Sequence, residues 1–150
     1  MSRRKRARTL IWTALGVQLA GLLIDIVWHA VHSDFEATTT EQMLVHLGTV
    51  HIPIYVGVVC VLLTTGWALI DQARRPPIGA AFPIAFVGAL ISTAGEIWHA
   101  AMHLQLDTRA APLAGTMSLV GFVIVVAAMW VSGRQDRRRK PAGVAQRRAA

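Results

Sequence analysis

The sequence predicts an all-α integral membrane protein, a bundle of four transmembrane helices with both termini in the cytoplasm and no soluble domain. Three observations carry that prediction. Of the 150 residues 54% are hydrophobic and only 15% charged; the apolar residues come in four long blocks; and the basic residues gather in alternate connections. A helix needs about 20 apolar residues to cross a hydrocarbon core about 30 Å thick. The blocks 10–31, 43–70, 78–104 and 113–131 reach or approach that length.

Charge gives the orientation. Fourteen of the fifteen Lys and Arg residues lie in the N-terminal "RRKRAR", in the connection "QARRPP" and in the tail from Arg134 onward, whereas "SDFEATTTEQ" and "QLDTRAAP" hold only Arg109 between them. This is the positive-inside asymmetry. Residues 1–9 are then a basic cytoplasmic N-terminus, 10–132 the membrane domain, and 133–150 a basic tail expected to be disordered and to touch anionic lipid. The net charge of +7 is therefore a membrane signature, and no nucleic-acid partner is expected, since no reading module accompanies the tail.

The first block is longer than the apolar core of a signal peptide, about 7–15 residues, and no small-x-small cleavage motif precedes "HSDFEA". It is expected to remain as a span. It ends in "IDIVWHAVH", residues 24–32. The second block carries His46 and His51 about 140° apart on a helix, and Pro53 is expected to kink it between them. Its Cys60, the one cysteine, can form no internal disulfide and reads as a small buried hydrophobe. The third block ends in "GEIWHAAMH", residues 95–103. The fourth has no titratable residue, only Thr116, Met117 and Ser118 near its outer end, and is expected to close a pocket. The two "WHA" tripeptides suggest a two-helix pseudo-repeat with a site at its interface.

All six histidines, His29, His32, His46, His51, His99 and His103, fall at the outer end of this topology. So do six of the eight carboxylates, among them Asp25 and Glu96. At 1.5 Å and 100° per residue, Asp25, His29 and His32 lie within roughly 60° of one another on helix 1. Glu96, His99 and His103 do the same on helix 3. A narrow polar stripe on an apolar cylinder faces the bundle interior, because an unpaired acid at that depth costs on the order of 2–3 kcal/mol. His32, His46 and His103, near the surface, also suit an interfacial role.

Imidazoles with carboxylates at helical spacing suit a transition metal, iron or copper first and zinc next. The expected ligands are Asp25, His29, His32, His46, His51, Glu96, His99 and His103. Asp25 and Glu96 are the expected catalytic groups, with Trp28, Trp98, Met102 and Met117 around a substrate pocket. Glu96-x-x-His99 resembles the helical motif of carboxylate-bridged di-iron proteins, which use it twice where this chain has it once. Asp25-x-x-x-His29 resembles the Asp/His copper ligation in the membrane subunits of methane and ammonia monooxygenases. These likenesses imply an oxidoreductase acting on a lipid-soluble substrate within membrane lipid, with a redox partner or second subunit. The alternatives are a haem b electron-transfer protein, a metal-independent acid catalyst of isoprenoid chemistry, and a copper or zinc binding or transport protein. A reporter fused after Ala150 is expected to read cytoplasmic and one inserted near Thr39 external; the reverse pattern overturns the topology.

Overall fold

The computed structural model describes residues 3–74, 79–107 and 111–148, with side chains to Gln135 except that of Ala111. Five helices follow in order: α1 (Arg3–Val31), α2 (Thr40–Leu47), α3 (Ile52–Ala73), α4 (Ala81–Leu104) and α5 (Ala111–Arg148). No strand occurs among the described residues. Four helical stretches are long and apolar enough to cross a membrane, namely Arg3–Val31, Ile52–Ala73, Ala81–Leu104 and Pro112–Gln135.

The second apolar block is not one span. Its first turns form the separate helix α2, capped by Thr39, whose hydroxyl accepts from the Gln42 N–H at 3.3 Å. The chain then turns through Gly48–Val50 before α3 starts, with Pro53 in its first turn. Proline fits that position because the N–H it lacks has no helical partner there. Pro53 therefore opens a helix instead of kinking one, and the second span begins at Ile52, not Met43.

Helical backbone also extends past both predicted limits. α1 runs through the basic N-terminal segment from Arg3. α5 continues to Arg148, where the sequence predicts a disordered tail. Ala, Gln and Arg are good helix formers, and extending an existing helix requires no new nucleus. Expectations that fall on residues 75–78 and 108–110, Arg109 among them, lie outside the described residues.

α1 pairs with α3 and α4 pairs with α5, each pair an antiparallel hairpin, and α3 against α4 joins the two hairpins. Between apolar helices in lipid there is little hydrophobic drive, so association depends on close packing of small residues. A Cβ at Gly21 would strike the backbone of Pro53 and Ile54, and one at Gly57 that of Gln18. In the other hairpin, Gly95 meets Ser118, and Gly121 meets Ser92 and Gly88, in the same way.

Toward the end of the bundle that carries the termini, the interior is dry. Ile11, Leu15, Val61, Phe82, Val125 and Met129 form a contiguous apolar core there. The outward faces expose large apolar side chains such as Val27, Leu63, Ile97 and Val123, as a lipid-facing surface would. At the opposite end the α1–α2 and α2–α3 connections and the C-terminal end of α4 bring the histidines together.

Gly121→Leu is expected to separate α4 from α5 and lower the unfolding midpoint in detergent, by about 1–3 kcal/mol or more. Gly16→Leu, where a Cβ meets nothing within 4 Å, is the matched control. Equal midpoints for the two variants would mean that close approach at Gly121 does not hold the hairpin.

Candidate metal centre

The stripe on α1 supplies two neighbours one turn apart. His29 Nε2 lies 3.5 Å from Asp25 Oδ1. From across the bundle His51 Nε2 approaches the same oxygen at 3.4 Å. On α4, His99 and His103, again one turn apart, bring their Nε2 atoms within 2.9 Å of each other. His46 reaches in from α2, its ring centroid 5.1 Å from that of His29 and 5.0 Å from that of His51. His51 in turn stands 5.7 Å from His99 and 5.6 Å from His103.

Four imidazoles and one carboxylate from three helices, α1, α2 and α4, thus surround His51. Two groups have ligand atoms that all lie within 4.8 Å of one another: His51, His99 and His103, and Asp25, His46 and His51. His51 belongs to both. Its side chain and that of His46 are buried, and neither ring of the two has a hydrogen-bond partner on either nitrogen. Such orphaned buried nitrogens are costly unless something occupies them, and a metal ion fits the donor set.

The helix break explains why both α2–α3 histidines face inward. On one continuous helix they would point about 140° apart, whereas α2 and the turn before α3 present His46 and His51 independently. Burial, helped by the charge His29 can carry, holds the His46 imidazole below its ordinary value. Burial also pulls His51 down to about 3, reinforced by the four neighbouring histidines. Both rings are therefore neutral near pH 7, the state that ligates metal.

Three expected ligands fall outside the groups: His29, which approaches only Asp25 among them at ion-pair distance, His32 and Glu96. The exposed His32 stacks on Trp28, centroids 4.5 Å apart, and its Nδ1 lies 3.0 Å from the Trp28 carbonyl oxygen, to which it can donate. Glu96 is buried but belongs to neither group of ligand atoms. It stands instead beside Ser118 of α5, with which it lines a cavity deeper in the bundle. Trp28 packs against His29 and His46 at 5.0 and 4.4 Å, so it walls the centre. Trp98, Met102 and Met117 are half-buried and line none of the three cavities beside it.

Those cavities differ in character. An outer vestibule of about 190 Å³ is walled by His29, His46 and His103 together with Phe35 and Glu36. Deeper in the bundle, a cavity of about 80 Å³ touches Gln18, Asp25, His51, Glu96, His99 and Ser118. The third is an open apolar groove of about 440 Å³ along α1, from Leu23 to Trp28 and His32. Gln18 and Ser92 escaped the sequence reading, although a lone amide and a lone hydroxyl amid apolar helix were a visible signal.

Comparison of the chain with known protein families, curated proteins and solved structures finds no match.

Unfolded His51 gains a proton near the ordinary value of 6.5, while the folded residue stays neutral to about 3. Between those limits the unfolded state holds more protons, so stability falls as pH falls. The unfolding temperature of metal-free protein is expected to drop from about pH 7 to about pH 4, and His51→Asn should flatten that drop. Parallel profiles for the two proteins would contradict a buried neutral His51.

Proposed function

We propose that the chain is a multi-pass cell-membrane metalloprotein, both termini cytoplasmic, whose histidine-rich centre in the outer half of the bundle holds one or two transition-metal ions. Its most economical activity is that of an oxidoreductase, a hydroxylase, desaturase or oxidase, on a lipid-soluble substrate. One observation carries the metal assignment: two three-residue groups of ligand atoms, each within 4.8 Å, meet at a buried His51 with unpartnered nitrogens.

The donor types favour redox chemistry. Asp25, His46 and His51 make a set of two imidazoles and one carboxylate, the composition that suits non-haem iron, and His51, His99 and His103 make an all-imidazole set that suits copper or zinc. Bound at either set, the ion would supply Lewis acidity or electron transfer. The chain's own part is to hold neutral imidazoles in place and to keep the terminal end of the bundle dry. The open groove beside Trp28 offers a lipid-soluble molecule an approach from the bilayer to the rim of the centre.

The alternatives have less support. Five imidazoles in mutual ring contact leave no slot for a porphyrin between two of them. A cavity of about 80 Å³ beside Glu96 is too small for an isoprenoid chain. Transport would need a polar path onward, and the terminal half is filled by apolar side chains. A pseudo-repeat is supported in a different register from the "WHA" echo. The glycine contacts align Gly21 with Gly95 and Gly57 with Gly121, which pairs His29 with His103 and "VGVVCV" with "VGFVIV".

Metal analysis with a visible spectrum of detergent-purified protein tests the proposal. About one or two equivalents of iron, copper or zinc are expected. His51→Ala should lose the most, because it removes a ligand from both groups, and His32→Ala should lose none. Protein that is metal-free after growth with ample metal would reject the centre, and a strong Soret band would select haem.

A further inference from the structure

Beneath the imidazoles, the smaller cavity is built differently from the centre above it. Its polar wall consists of Gln18 from α1, Asp25 two turns farther along the same helix, Glu96 from α4 and Ser118 from α5, together with His51 and His99, which it shares with the centre. A line of polar contacts runs behind this wall. Gln18 Nε2 donates to Ser92 Oγ at 3.0 Å, and Ser92 and Ser118 hydroxyls lie 3.2 Å apart. Ser118 stands beside Glu96 in the same wall, so the line runs from the Gln18 amide to the Glu96 carboxylate.

Acceptors remain in excess. Gln18 is only 4% exposed, and its Oε1 is buried without a hydrogen-bond partner. With the two carboxylates it gives a small enclosed space three oxygen-bearing side chains, more acceptor oxygen than the second Gln18 N–H and the two imidazoles can satisfy, and apolar packing from Ile54 and Phe122. Two carboxylates and an unpartnered amide oxygen in a low-dielectric interior call for positive charge. Oxygen donors select hard cations and nitrogen donors select softer ones.

Resting on the metal-centre reading above, we propose that this cavity is a second cation site adjoining the first, taking a divalent ion of the Mg²⁺/Mn²⁺ class ligated by the oxygens of its wall. Asp25 is the residue common to both sites: its Oδ1 faces His29 and His51 and its side chain lines the cavity. Gln18 and Glu96 are the ligands private to the inner ion. Ser92 and Ser118 act through them, fixing the amide and carboxylate orientations as outer-shell partners do. A space of about 80 Å³ leaves room for the ion with a water or two, which completes its preferred shell. Glu96, which the helical stripe would group with the histidines, belongs to this site.

The test uses full-length protein in detergent, loaded with Zn²⁺, desalted and titrated with Mn²⁺ while free Mn²⁺ is read by electron paramagnetic resonance. One bound Mn²⁺ per chain is expected, displaced by excess Mg²⁺. Glu96→Gln should abolish it and Gln18→Leu should weaken it at least about tenfold, with zinc content unchanged in both. Gln18→Leu also keeps the test decisive if Glu96→Gln fails to fold. Zinc-loaded protein that binds no Mn²⁺, or binds it equally in both variants, overturns the second site and leaves the histidine centre standing. Zinc content that falls in Glu96→Gln overturns the hard-cation assignment. Mn²⁺ binding without zinc binding supports the inner site and rejects the histidine centre.

Discussion

A polar side chain at membrane depth has no water to turn to, so its partners must come from other helices of the same bundle. Everything distinctive in this structure follows from that constraint. Asp25 on α1 sits within 3.5 Å of imidazoles from its own helix and from the turn before α3. Glu96 on α4 stands beside Ser118 of α5, whose hydroxyl lies 3.2 Å from that of Ser92, and Ser92 in turn accepts from Gln18 on α1. The two hairpins are packed by glycines where backbones touch, yet they are joined across the bundle by polar contacts. The polar layer is at once the candidate metal centre and the specification of which helix faces which.

The interruption between α2 and α3 serves that layer. An unbroken helix through residues 43–70 would have sent His46 and His51 to different sides. The turn at Gly48–Val50 and the proline in the first turn of α3 free the two residues to aim at one point. The buried Met43, His46 and Leu47 of α2 also show that this short helix is packed down on the bundle. It packs beside the histidines, and the vestibule beside Glu36 opens next to it. The opposite half of the bundle is filled by Ile11, Leu15, Phe82 and Met129, so among the described residues the histidines gather at one end.

Much of the site was legible in the sequence because helical periodicity is a local property. Residues one turn apart on a long apolar helix share a face, and that alone joined Asp25 with His29 and His99 with His103. Periodicity says nothing about rotation of one helix against another. For that reason it grouped Glu96 with His99 and His103, and His32 with His29, although Glu96 is drawn toward α5 and His32 lies over Trp28 at the exposed rim. Gln18 and Ser92 went unread because a single amide and a single hydroxyl in separate helices acquire meaning only when the helices bring them within 3.0 Å.

Four apolar spans, the concentration of histidines at one end and the two acid–imidazole stripes were determined by the sequence itself, through helix length, the cost of polar groups in hydrocarbon and the 3.6-residue turn. The break before α3, the convergence on His51 and the separation of Glu96 from the two groups of ligand atoms were decided only by the tertiary structure. Those features depend on interhelical distance and rotation, which close glycine contacts set and which no single helix encodes.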